Sequence, residues 1–366
     1  MTGDRHKGTD WKTSDFDYAL PESLIAFHPS SERDVSRLMV LGPNRTEIGH
    51  AVFRDLPDLL PKRALLVLND TRVIKARLHA VRPTGGAVEV LLVRPRGAAE
   101  YSCRFEALTR ANRPLKEGDT LDISGVGASV VSKGSLGEAV LEIHLSPADF
   151  LHHVSRVGEV PLPPYIKRAA EPEDVERYQT VYAAQDGSSA APTAGLHFTE
   201  SLLHEIRARG VEIAAVTLHV GPGTFRPVKT EYLREHRMDR EEYILSEETV
   251  SKIHRAKTEK RPIIAVGTTT VRALEGAFAA QGSLVPGPGA TELFITPGFQ
   301  FNVVDGLITN FHLPKSTLLS LVSALAGRER ILSAYAEAVA KQYRFYSYGD
   351  AMLILPAAHA PLFGKQ

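Results

Sequence analysis

The sequence has a single cysteine, Cys103, among 366 residues, which excludes an internal disulfide and a cysteine-rich zinc site. It has no apolar run long enough to span a bilayer, and its opening, MTGDRHKGTDWKTS, lacks the apolar centre of a signal peptide. A cytoplasmic protein without a membrane partner is expected. Net charge is also missing, with 43 Lys and Arg against 43 Asp and Glu. No GxGxxG follows a strand, no phosphate-binding loop carries the lysine of a P-loop, and GxSxG and HExxH do not occur. Dinucleotide, ordinary methyltransferase and metallohydrolase readings lose their usual supports.

What is present suits a globular chain: 43% hydrophobic and 23% charged residues, in a length that favours two domains. Residues 1–13 read as a flexible tail. From residue 75 onwards alternating segments such as VEVLLVRP, YSCRFEALT and EAVLEIHL are separated by Gly- and Pro-containing turns, which is all-β patterning. On both sides the texture is α/β. The expectation is therefore an α/β main domain, 14–74 and 155–366, carrying an inserted antiparallel β-barrel domain, 75–154, with LPPY (162–165) as a stiff return linker.

Within the α/β part, apolar runs at 36–41, 64–68, 213–218, 263–266 and 303–308 predict strands, and 293–296 is a further apolar run. DFDYALPESLIAFHP predicts a short helix after Phe16, and further helices are expected over 200–210, 247–257, 271–280 and, capped by Ser316, 317–341. Residues 173–182 read as a short helix or loop, and the following DGSSAA as flexible, in a segment of the kind that orders over substrate. YRFYSYGD (343–350) reads as a half-buried strand, or as an aromatic wall for nucleobases.

Polar residues crowd the strand ends. Asn69, Asp70, Thr71 and Arg72 follow one strand; Thr309, Asn310, His312 and Lys315 lie on the connection after another. In open α/β sheets ligands bind outside the carboxyl ends of strands. His197, His219 and His312 share this context, and imidazole is the usual proton-transfer group near neutral pH. GTTTVRALE (267–275) sets small residues at a helix start, where free N–H groups suit a carboxylate or phosphate; Thr268 as a plain cap, and an Arg272–Glu275 pair, are the bland alternatives. HVGPGTF (219–225) offers Gly221 and Gly223 for close backbone approach and Phe225 for stacking. Between 62 and 116 twelve Lys or Arg face four acids, a footprint suited to a polyanion or simply a solvated barrel exterior.

Six stretches, NDTRVIKARL (69–78), APTAGLHF (191–198), TLHVGPGTFRPV (217–228), AVGTTTVRALE (265–275), VDGLITNFHLPKSTLL (304–319) and YRFYSYGDAML (343–353), closely resemble the S-adenosylmethionine:tRNA ribosyltransferase-isomerases of queuosine biosynthesis. The resemblance implies transfer and isomerisation of the ribosyl part of S-adenosylmethionine onto 7-aminomethyl-7-deazaguanine at the tRNA wobble position, giving epoxyqueuosine, adenine and methionine. It implies S-adenosylmethionine as a consumed co-substrate, tRNA as partner, no metal or further cofactor, and a monomer is expected. Carried onto this sequence it marks His197, His219, His236 and His312 as candidate bases, and a second of these histidines or Asp350 as the candidate proton donor. Candidate substrate contacts are Asn69, Asp70, Thr71, Arg72, Thr193, Gly195, Phe198, Gly221, Gly223, Thr224, Phe225, Glu241, Gly267, Thr268, Thr269, Arg272, Thr309, Asn310, Ser316 and Thr317. Arg72, Lys75 and Arg77 are candidates for the tRNA backbone. One position departs from the family pattern: Asp239 stands where a second His is usual. The rival readings are an S-adenosylmethionine-dependent RNA methyltransferase and a non-catalytic tRNA-binding protein.

Overall fold

Runs of consecutive apolar residues bury a strand on both faces, and three fully buried strands, Leu65–Asn69, Ile263–Val266 and Gly306–Asn310, lie at the centre of a mixed nine-stranded sheet. The computed structural model describes residues 10–42, 48–221, 223 and 227–356. Sheet order is Gly287–Thr291, Glu241–Leu245, Glu212–Leu218, Leu65–Asn69, Ile263–Val266, Gly306–Asn310, Ala351–Ile354, Arg37–Leu41, Ile48–Val52. The four strands from Glu212–Leu218 to Gly306–Asn310 are mutually parallel, so their carboxyl ends share one edge. Alternate residues face opposite layers: Leu65 and Val67 pack with the helices Glu247–Thr258 and Thr268–Gln281, and Leu66 and Leu68 with Glu200–Ala208.

Between two strands of that sheet the chain leaves to build a closed six-stranded antiparallel barrel, Arg77–Val81, Ala87–Ala99, Ser102–Ala111, Thr120–Ile123, Val126–Lys133 and Glu138–Ile143. The expected fold class is thus present. Inward alternation places Val88, Val90 and Leu92 opposite Phe105 and Ala107 in one core. Entry and exit run side by side: Arg77 N–H donates to Glu159 O at 3.2 Å and Glu159 N–H to Arg77 O at 2.9 Å.

The sequence reading passed over the helix Pro147–Val157, whose signals are the Ser146 cap and Pro147 in the first turn. It closes the barrel core with Phe150 and Val154, Phe150 meeting Phe105 edge-on at 5.3 Å. The helix expected over 317–341 is two, Thr317–Ala326 and Arg328–Ala340, because Gly327 sits at φ 92° and turns the chain between them. After Phe16 there is no α-helix; 3-10 turns at Thr13–Phe16 and Glu22–Leu24 flank extended backbone around Pro21. The 173–182 helix is a single turn, Asp174–Arg177, and DGSSAA is partly the ordered strand Gln185–Ser188, paired with Thr71–Val73. Residues 293–296 are not a strand, and 343–350 form a buried turn before Ala351–Ile354. Residues 11–13 do not hang free: Trp11 Nε1 donates to Pro297 O at 3.2 Å and Thr13 is buried.

Phe150→Ala should cost about 3–5 kcal/mol of barrel stability, read as a lowered urea midpoint; a change under about 1 kcal/mol would mean the helix is not part of the barrel core.

Candidate active site

Four consecutive elements of chemistry start where the parallel strands stop: His219 after Leu218, Asp70 after Asn69, Gly267 after Val266 and Phe311 after Asn310. Two cavities open along this edge. A cleft of about 900 Å³ lies between sheet and barrel; Arg94, Glu106 and Lys133 from the barrel face Asp186, His219, Gly221, Gly223, Asp239 and Glu241 from the sheet. A smaller pocket of about 50 Å³ is lined by Thr193, Gly267, Thr268, Thr269, Thr309, Asn310, His312 and Ser316, all expected from sequence, with Tyr165, Tyr346 and Ser347. Tyr165 was missed because LPPY reads as a linker, and the barrel residues because a barrel strand carries no local mark of what it faces.

Asn69 is fully buried and its amide is fully engaged. Its Oδ1 accepts from Leu218 N–H at 3.0 Å and Thr71 N–H at 3.2 Å, while Nδ2 donates to Leu218 O at 3.0 Å and Thr269 Oγ1 at 3.4 Å. It therefore joins two strand ends to a helix start. Asp70 accepts from Thr217 Oγ1 at 2.7 Å, and burial holds its carboxyl above the ordinary carboxylate range despite that bond and nearby His219. Thr71 Oγ1 meets His219 Nδ1 at 2.8 Å.

The four histidines fall into distinct environments. His219 is half-buried at the cleft; burial lowers its pKa, with Glu242, Asp70 and Asp186 opposing. His197 stacks on Phe53 and bridges Ser36 Oγ at 2.6 Å and Asn310 Nδ2 at 3.2 Å, away from both cavities; burial, with Arg33 and Arg344, pushes it from 6.5 to about 3. His312 meets Thr309 Oγ1 at 2.8 Å and burial likewise pushes it from 6.5 to about 3. His236 lies edge-on to Phe294 at 5.5 Å, its pKa lowered by burial against the pull of Asp239.

Helix Thr268–Gln281 begins at Gly267, with φ 87° and ψ 148°, and no side chain caps it. Only glycine holds such a backbone readily, and Thr268 is thus the first helical residue, not the cap. The N–H groups of the first turn have no intrahelical partner. Arg272 does not pair with Glu275. It makes a buried ion pair with Glu241 and donates Nε to Leu293 O at 3.1 Å, while Glu275 accepts the backbone N–H groups of Asn302, Val303 and Val304 at 2.9–3.0 Å.

Other expected residues lie outside the two cavities. Asp350 is buried and accepts from Arg37 N–H at 2.9 Å, the Arg37 guanidinium, and Arg344 N–H at 2.8 Å, a set that braces two strands and their turn. Phe198 packs edge-on to Phe53 at 5.0 Å; Gly195 lies against Tyr182 Oη, too close for a Cβ; Thr317 opens its helix. Thr224 and Phe225 lie outside the described residues. Arg72 donates to Ala183 O at 2.7 Å and Arg77 approaches Glu89 at 3.5 Å, beside Lys75 at the barrel root. The basic run counted along 62–116 meets acids from elsewhere in space: Asp119 at Arg82 (3.7 Å), Glu142 at Arg104 (3.0 Å) and Glu259 at Arg63 (3.1 Å), while Glu106 takes both Arg94 and Arg96.

Asn69→Leu should destabilise the fold by about 2–4 kcal/mol, since it strands buried polar groups of Leu218 and Thr71; unchanged denaturant midpoints would refute the joint. His197 and His312 stay neutral in the folded protein and take protons near 6.5 once unfolded. Their stabilisation is complete above 6.5 and is lost as pH falls towards 3, by about 1.4 kcal/mol per pH unit for each. Melting curves from pH 7 to pH 5 should show this fall, and His312→Asn should make it shallower.

Comparison with known proteins gives the arrangement its family. The model of a family described as "Queuosine biosynthesis protein" matches residues 13–354. A curated relative from Anaeromyxobacter dehalogenans (strain 2CP-C), named S-adenosylmethionine:tRNA ribosyltransferase-isomerase, is 50% identical over 344 residues, covering 94% of this chain and 99% of its own. One of the same name from Citrifermentans bemidjiense is 52% identical over 342 residues, covering 93% and 99%. The crystal structure of S-adenosylmethionine tRNA ribosyltransferase from Thermotoga maritima superimposes with a TM-score of 0.54 at 36% identity, over 93% of this chain and 100% of that one. With its family model spanning the sheet and the barrel alike, the chain belongs to the queuosine biosynthesis protein family.

Proposed function

We propose that the protein transfers and isomerises the ribosyl moiety of S-adenosylmethionine onto 7-aminomethyl-7-deazaguanine at the wobble position of tRNA, as a cytoplasmic monomer, with S-adenosylmethionine consumed as co-substrate. Relatives about half identical over 94% of the chain bear the name of this activity. The structural observation that carries the reading is His219 at the cleft. Thr71 engages its Nδ1, which leaves Nε2 for substrate.

A sulfonium acidifies the ribosyl carbon beside it, so a base at that carbon starts the chemistry by removing a proton, and adenine then departs from the resulting ylide. His219 suits this role better than His197 or His312: a base pushed to about 3 is a weak proton acceptor, whereas His219 is only partly desolvated and is neutral at physiological pH. Departing adenine takes up a proton. Asp70, whose carboxyl is raised by burial and which lies one residue beyond Asn69 at the same strand ends, suits that donation better than Asp350, whose carboxylate is occupied by Arg37 and Arg344.

Incubation with S-adenosylmethionine and tRNA bearing 7-aminomethyl-7-deazaguanine should release adenine and methionine in step with tRNA modification. Formation of S-adenosylhomocysteine would establish a methyltransferase instead, and binding without any product a silent tRNA-binding protein. His219→Ala should lower kcat about 10²–10⁴-fold with tRNA affinity retained. Because the protonated ring is inactive and its pKa is lowered, the acid limb of kcat/KM should fall below pH 6.5; a limb above that value would remove His219 from the role.

A further inference from the structure

The small cavity holds complementary polar groups that no internal contact uses. At one wall the first turn of the fourteen-residue helix Thr268–Gln281 presents N–H groups with no capping side chain. At another stands Asn310, 3% exposed, whose Nδ2 donates to Tyr346 O at 2.9 Å and reaches His197 Nε2 at 3.2 Å. The Tyr346 carbonyl can only accept, so it fixes the amide's orientation. Asn310 Oδ1 is then a buried acceptor without a partner among the described residues, a state that costs free energy unless a ligand donates to it.

Helix N–H groups attract a carboxylate; a buried carbonyl oxygen attracts an ammonium. With the functional reading above as its premise, we propose that this cavity binds the α-amino acid end of S-adenosylmethionine, its carboxylate on the N–H groups of Thr268 and Thr269 and its ammonium on Asn310 Oδ1. Arg272, the obvious alternative for the carboxylate, pairs with Glu241 and does not line this cavity, although its Nη2 has no partner among the described residues. Chain connectivity carries the rest of the molecule the right way. Val220 lines the small cavity, and its neighbours His219 and Gly221 line the cleft. On this proposal the sulfonium and ribose extend past Val220 towards His219.

Asn310 also braces Tyr346 and His197, so Thr268→Asp is the sharper variant. It sets a fixed carboxylate at the helix start, favourable to the helix itself and in competition with that of the ligand. Binding is measured by calorimetry for S-adenosylmethionine, its decarboxylated analogue and 5′-methylthioadenosine, which has no amino acid end. The wild type should hold S-adenosylmethionine about 10- to 100-fold more tightly than the decarboxylated analogue. Thr268→Asp should abolish that preference while leaving 5′-methylthioadenosine affinity unchanged. Equal wild-type affinity for the first two ligands, or a preference surviving in the variant, overturns the subsite while leaving the functional reading intact. A wild type that binds neither S-adenosylmethionine nor 5′-methylthioadenosine overturns the functional reading itself.

Discussion

The side-chain amide of Asn69 is the joint on which the rest of the site depends. One buried group uses both its oxygen and its nitrogen to tie Leu218, Thr71 and Thr269 together. Through Leu218 it sets where the strand before His219 ends; through Thr71 it sets the residue that engages His219 Nδ1; through Thr269 it reaches the open helix start. A hydrogen-bond set this complete, in a fully buried position, leaves little freedom for any of the three segments. Both cavities inherit their geometry from it.

The electrostatics of the edge follow from burial more than from net charge. Three acids surround His219 without cancelling its desolvation, and burial raises Asp70 beside it. A carboxyl moved up and an imidazole moved down narrow the gap between their proton affinities, which suits a pair exchanging protons with one substrate. His197 and His312 are desolvated much further. Their hydrogen bonds to Ser36, Asn310 and Thr309 make them braces of the cavity wall and strand ends.

Much of this was legible in the residues. Strand positions over 263–266 and 213–218 stood out because consecutive apolar residues have no other stable home, and the polar residues after them marked the working edge. Caps at Thr199 and Ser316 were read correctly because each bond is local, to the N–H of Leu202 and Leu319. Misreadings had equally local causes: one residue, Gly327, breaks a helical pattern in two, and the gathering of aromatic Tyr343, Phe345, Tyr346 and Tyr348 suggested a strand where the chain turns, although all four are indeed buried. The basic run between 62 and 116 is partly paired in space, Arg82, Arg104 and Arg63 meeting Asp119, Glu142 and Glu259, which a charge count along the chain does not show.

By itself the sequence determined the fold class, the family and the set of polar segments at the strand ends, because apolar periodicity, caps and long motifs are properties of neighbouring residues. Tertiary structure alone decided the ranking within that set. Which histidine is half-solvated, which arginine is already paired and which amide oxygen is left without a donor depend on residues separated by dozens to hundreds of positions, brought together only when the sheet closes.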